Sequence, residues 1–229
     1  MKTINSNKIK STACILLCAS VLAACGGTSA EIDKDINDAE KNNSSVFTLV
    51  NATDDMVNFY AKYIGISESI YQSEYEVASV INDESSTQII YQWNDALSRT
   101  SIAITDTNTQ TLRATDEYNL INNQAYIGIA WLDEGEYVIN LVEANNNTTE
   151  SDYTVRFFTS TDQTLHFDGS NLPEIIAEKA QITSSFSFDN CADMELINNI
   201  SANFCQIANV GNSYIAVIKA NGDVIFTQE

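Results

Sequence analysis

The chain is short of the residues on which most enzymes depend. It has one histidine, His166, and one proline, Pro173. Its eight glycines are scattered and form no phosphate-cradling loop. No Gly-x-Ser-x-Gly is present, and a lone histidine cannot supply a set of zinc ligands. Basic residues are few, with 11 lysines and arginines against 31 acids and a net charge of −20. So acidic a surface repels phosphate backbones, which excludes nucleic acid as a partner. Apolar runs are short as well. The longest, Ala13 to Ala24, falls below the ~20 residues that span a bilayer.

That run has a different use. It follows Lys2, Lys8 and Lys10 with no acid among them, the pattern of an export signal at 1–24. It ends in Leu22-Ala23-Ala24-Cys25. Leu22 in the third-last position suits ordinary signal cleavage poorly. The four residues resemble the lipobox of bacterial lipoproteins at every position. The resemblance implies a diacylglycerol on the Cys25 sulfur, cleavage before Cys25 and acylation of the new amino group. Gly26, where an aspartate would favour the inner membrane, implies an outer-membrane address. Each buried methylene contributes ~0.8 kcal/mol and one chain holds only reversibly, so several chains would give a lasting anchor. Cleavage would remove three lysines and no acid, leaving 8 bases against 31 acids and a net charge of −23.

The cysteine count closes on this reading. Cys14 and Cys18 leave with the signal, Cys25 carries lipid, and Cys191 and Cys205 remain as an even pair in an exported chain. They are expected to form a disulfide. A metal site there lacks further ligands, with no CxxC and no histidine close by.

Residues 25–45 are rich in Gly, Ser, Asn, Asp and Glu and read as a tether. Asp33-Lys34-Asp35-Ile36-Asn37 starts like a calcium loop, but Asp38 and Ser44 stand where its glycine and glutamate belong. From Val46 the period becomes two. Phe47/Leu49, Val57/Phe59, Ile89/Tyr91/Trp93, Ile102/Ile104, Tyr126 to Trp131 and Tyr137 to Val142 read as strands, with Asp133-Glu134-Gly135 as a hairpin turn. A polar break at 145–152 marks a domain boundary. Strands resume at Tyr153 to Thr159, Thr164 to Phe167, Phe186/Phe188, Tyr214 to Lys219 and Val224 to Phe226, with a turn at Asn221-Gly222-Asp223. The stretch from Asn171 to Ala180 reads as a short helix capped by Asn171, with a strand at Ile175 to Ile182 as the alternative.

The two halves repeat. Phe47 falls on Val155, Thr53 on Thr161, Asp54 on Asp162, Val57 on Leu165 and Phe59 on Phe167. Near their ends, Tyr126-Ile127-Gly128-Ile129 falls on Tyr214-Ile215-Ala216-Val217. The expectation is an all-β protein of two antiparallel β-sandwich domains, 46–144 and 153–229, after the signal and tether. Val50-Asn51-Ala52-Thr53-Asp54-Asp55 and Gly211-Asn212-Ser213-Tyr214 resemble the opening and closing motifs of bacterial domain of unknown function 4397. The resemblance implies immunoglobulin-like sandwiches, exported or anchored, often in tandem and without assigned activity. The chain departs from that family's turn in having no proline in either copy, and in carrying Gln163 where the second copy's Asp would sit.

Candidate chemistry is correspondingly thin. Asp54, Asp55 and Asp162 lie in paired turns where calcium is the functional reading and turn chemistry the plainer one. Trp93 and Trp131 extend apolar strand faces and read as core rather than as a sugar platform. No cofactor is implied. The favoured function is a non-catalytic binding or structural module held at the outer membrane by lipid, facing periplasm or surface, with an envelope protein or glycan as partner. Two alternatives stand beside it: a hydrolase or carbohydrate-active enzyme working through paired carboxylates, and an accessory subunit of an envelope assembly.

Overall fold

Strand β1 (Asn43–Ala52) is buried on both faces. Phe47 and Leu49 point to one side, Val50 and Ala52 to the other. A strand enclosed on both sides has no polar face to alternate, hence the continuous Phe-Thr-Leu-Val run. The computed structural model describes residues 41–94, 98–111, 113–145, 148–167, 174–194 and 204–229. These belong to one compact unit, Ala39–Glu229. Among the described residues, no helix is long and apolar enough to cross a membrane.

The fold is all-β. In the first sheet, β4 (Glu84–Ser85) and β5 (Ile89–Trp93) pair antiparallel with one edge of β1. On the other edge β8 (Ala125–Asp133) runs parallel to β1, with Phe47 opposite Tyr126. β9 (Glu136–Glu143) returns antiparallel to β8 through a turn in which Glu134 and Gly135 both have positive φ. Gly128 lies opposite Leu49, and a Cβ there would meet the Leu49 side chain at 2.9 Å, so the strands approach where a side chain is missing. The second sheet runs β3 (Glu76–Val80), β2 (Val57–Tyr63), β6 (Arg99–Asp106), β7 (Arg113–Asn119), antiparallel throughout. Between these sheets lies the first core, built on Phe47, Leu49, Phe59, Trp93, Ile102 and Ile104.

The C-terminal half repeats the plan with fewer strands. β10 (Tyr153–Thr159) pairs antiparallel with β13 (Phe186–Phe188) and parallel with β14 (Ser213–Ile218), which turns into β15 (Val224–Gln228). Opposite stand, among the described residues, β11 (Gln163–Leu165) and β12 (Ile175–Ala177). The second core holds Val155, Phe157, Leu165, Ile175 and Phe204.

The repeat read from the sequence is a repeat of register. Phe47 faces Tyr126 across the parallel pair, and Val155 faces Tyr214. Val57 pairs with Val80, and its counterpart Leu165 with Ile175. Phe47 pairs with Ile89, and Val155 with Phe186. The halves differ where the first has β6 and β7. There the second has a segment joined by the Cys191–Cys205 disulfide, whose Cα atoms are 5.1 Å apart. Beside it Phe204 is 1% exposed and packs on Phe226, ring centroids 4.4 Å apart.

Two expectations need correction. The sheets are not purely antiparallel, because each half has one parallel pair, β1 with β8 and β10 with β14. Ile175–Ala177 is a strand rather than helix, because Ile175 and Ala177 turn into the second core while Ile176 faces out, a period of two. Asn171 and Pro173 lie outside the described residues. The polar break at 145–152 lies between halves that pack together through a third core. Val50, Ala52, Ile127, Ile129 and Trp131 of the first half meet Phe158, Ile215, Val217 and Ile225 of the second, with Trp131 edge-on to Phe158 at 5.9 Å.

Candidate functional site

The expected site residues fall in separate places. Cys25 and the Asp33–Asn37 stretch lie outside the described residues. Cys191 and Cys205 are bonded. Trp93 and Trp131 are buried, each indole N–H donating to a neighbour, Ser45 Oγ at 3.4 Å and Asn140 Oδ1 at 2.6 Å. His166 lies with Nδ1 3.3 Å from Glu174 Oε1, its own side chain half-buried and that of Glu174 exposed. Among the described residues, no three His, Cys, Asp or Glu side chains gather as a metal site.

The turn after β1 is built by Asn51, which is fully buried. Its Oδ1 accepts from Thr53 N and Thr53 Oγ1 at 3.0 and 2.7 Å. Its Nδ2 donates to the carbonyls of Asp55 and Val80 at 2.8 and 2.9 Å. The side chain thus uses all four of its hydrogen-bonding positions and holds the turn against the end of β3. The turn turns Asp54 and Asp55 to opposite neighbours. Asp55 accepts from Tyr137 Oη at 3.4 Å. Asp54 meets a cation from the other half, Lys219, with Nζ 3.3 Å from Asp54 Oδ1 and 2.7 Å from Asp83 Oδ1. The Lys219 side chain is only 9% exposed. Burial pulls its pKa down, but hydrogen bonds and charge from Asp83 and Asp54 outweigh burial and hold it above the ordinary lysine value.

Two further cations bridge the same junction. Lys179 places Nζ 2.5 Å from Asp133 Oδ1 and 6.0 Å from the Trp131 ring centroid. The Asp133 hydrogen bond raises its pKa. Its backbone N–H donates to Asp162 at 2.7 Å, so the third turn acid closes a turn within the second half. At the opposite end, Arg156 grips Glu229. Nε lies 3.0 and 3.2 Å from the two carboxylate oxygens, and Nη2 bonds both Glu229 and the Glu143 carbonyl. The Glu229 side chain is 0% exposed. A polar recess of about 450 Å³ opens over this pair, lined by Gln124, Glu143, Asn145, Arg156 and Ser185.

Lys179, Lys219 and Arg156 are three of the eight bases after residue 24. All three sit around the third core and reach from the second half to the first. Sequence reading did not single them out. Their rarity in so acidic a chain was the available signal, since a scattered solubilising role would not place them at one seam. Chemically the junction is a fastening. Its cations are matched by carboxylates or carbonyls, and its apolar centre is closed.

No protein-family model matches the chain, and no curated protein sequence matches it.

Proposed function

We propose that this is a lipid-anchored protein of the cell envelope whose two immunoglobulin-like sandwiches act as a non-catalytic binding or structural module. Cys25 carries the lipid, and the outer membrane is the address the residue after it favours. The observation that carries the module reading is the junction. Three of a small stock of cations are committed to joining the halves around a buried apolar centre, which makes a rigid double unit with its loops displayed at two ends. The immunoglobulin-like assignment is supported by the parallel pairing of each half's first strand and by a tyrosine hydroxyl bonded to backbone upstream in each half. The likeness to domain of unknown function 4397 points the same way. An envelope protein or a glycan is the partner chemistry proposed.

The test is crosslinking of the membrane-held chain in intact cells, followed by identification of what it captures. One recurring protein or glycan supports a binding module. Turnover of glycosides or esters by the purified chain, lost on replacing a pair of acids, would replace the module by an enzyme.

A further inference from the structure

Strand β5 borders the first sheet. It pairs antiparallel with β1, and among the described residues no strand pairs with its other edge. The hydrogen-bond pattern tells which of its groups face outward. Val46 N–H donates to the Gln124 carbonyl on the β8 side of β1, so Val46 and its partner Ile90 form a non-hydrogen-bonded pair. The N–H and C=O of Ile90, and of Gln92 two residues on, therefore turn away from β1. One extra residue between β4 and β5 marks a bulge that ends the regular edge ahead of β5.

This edge is built unlike the others. Ser85 to Asn94 carries no charge, in a chain of 31 acids and 11 bases. Ile89, Tyr91 and Trp93 turn into the first core, which leaves Ile90, 69% exposed, between exposed Gln88 and Gln92 on the outer face. Edge strands are commonly blunted by charge or proline, and β5 has neither. By contrast β7 carries Arg113, Asp116 and Glu117, β9 is bounded by Glu136 and Glu143, β3 opens on Glu76 and β15 runs to Glu229. Strand β13 turns only Ser187 outward. Ile176 on β12 is more exposed than Ile90, at 78%, but Glu174 and Glu178 flank its three-residue strand. The other large apolar side chains that are exposed lie outside strands.

We propose that β5 pairs with β5 of a second copy of this chain, antiparallel about a two-fold axis at Ile90, so that the first sheets of the two copies join into one. Two features select a second copy. The first is that the strip reads the same in both directions from Ile90, as Gln-apolar-Ile-apolar-Gln over Gln88 to Gln92. Antiparallel pairing about Ile90 sets Ile90 on Ile90 and Gln88 on Gln92, and the outward N–H and C=O groups of the two Ile90 residues meet as a bonded pair. The second is charge. Copies with a net charge of −20 repel one another, and this edge lets them meet with no charge opposite a charge from Gln88 to Gln92. Main-chain hydrogen bonds supply the affinity, as in other strand additions. The contact is isologous and uses the open edge of both strands, so it closes at two copies and does not grow into a fibre.

The test uses the full chain in the cells that produce it. Ile90→Cys is oxidised with copper phenanthroline, and the native chain is the control for bonds through its own cysteines. Opposed Cα atoms of a bonded antiparallel pair lie ~5.5 Å apart, within reach of a disulfide. Ile90→Cys should give a disulfide dimer at least fivefold above the native chain, and Ile176→Cys, at the more exposed position, should not. Gln88→Cys and Gln92→Cys should each crosslink weakly alone and strongly when produced together, which reads the register. Purified in detergent, the full chain should sediment as a dimer that tightens in 1 M salt, where the Debye length is ~3 Å. Ile90→Lys should weaken that dimer at least tenfold with the melting temperature unchanged. A full chain that stays monomeric, no excess crosslink at 90, an equal one at 176, no gain on combining 88 with 92, or a dimer indifferent to Ile90→Lys would overturn the pairing. A crosslinked product whose mass is not twice that of the chain would overturn it too, by giving the edge to a different partner.

Discussion

Tyr126 and Tyr214 hold the same position in the two halves. Each is the second residue of the strand that runs parallel to the first strand of its half, and each hydroxyl accepts the backbone N–H of the residue five places earlier, Ile121 and Asn209. The rings are buried, so only the oxygen reaches the loop. Replacing either by Phe removes the acceptor and keeps the packing. Each change should cost about 1 kcal/mol in urea unfolding, with an unchanged far-UV spectrum. A cost near zero for both would show that the loops are held by other contacts.

The third core makes the halves one cooperative unit. The buried Glu229 neutralises Arg156 beneath the recess, so Glu229→Gln leaves a guanidinium that is 13% exposed without its counter-ion. Loss of about 2–4 kcal/mol is expected. The transition should remain single, with circular dichroism and tryptophan fluorescence coincident, although both tryptophans lie in the first half and Glu229 in the second. Separated transitions would mean that the halves fold independently.

The disulfide lies between β13 and β14, where the first half has β6 and β7 and the second half has no strand among the described residues. Cys205 is exposed, so a dithiol reductant can reach it without unfolding. Reduction should cost about 3 kcal/mol on the chain-entropy account. It should raise hydrogen exchange first around Phe204 and Phe226, which meet beside the bond. Alkylation without reductant should find neither Cys191 nor Cys205 free.

Alkaline pH should unfold the protein through its tyrosines. Burial lifts Tyr91 and Tyr137 to about 12, and burial also raises Tyr118, whose hydroxyl is bonded between the Ile139 carbonyl and Leu141 N–H. A phenol whose folded pKa is raised favours the native state fully below its unfolded value of 10. That contribution is lost as pH climbs through the folded values. Stability should therefore be flat near neutrality and fall from about pH 10 to 12, with phenolate absorbance rising in step. Phenolate absorbance complete by pH 11 in a protein that stays folded would contradict this.

Much of the fold was legible because hydrophobic alternation is a local signal. Phe47/Leu49, Val57/Phe59 and the Tyr126 and Tyr214 runs are strands, as their alternation implied. What escaped was set elsewhere. β7 is Arg-Ala-Thr-Asp-Glu-Tyr-Asn on an exposed edge, and a strand with little to bury carries little apolar pattern. The alternation of Phe47 and Leu49 marks one face of β1 only, and Val50 and Ala52 on the other face build the third core. Ile175–Ala177 is too short for either period to prevail. Asn51 was visible as a turn residue, but Lys219 as the partner of Asp54 was not, since 165 residues separate them and only packing brings them together.

The central claim is that Cys25 carries lipid and that this lipid holds the double sandwich at the membrane. The most direct measurement is labelling with a radioactive or clickable fatty acid in the producing cell, comparing the native chain with Cys25→Ser. The native chain should take up label, fractionate with outer membrane and lose its first 24 residues. The Cys25→Ser chain should take up none and be released from the membrane or accumulate uncleaved. Equal labelling of both chains, or no labelling of either, would contradict the claim.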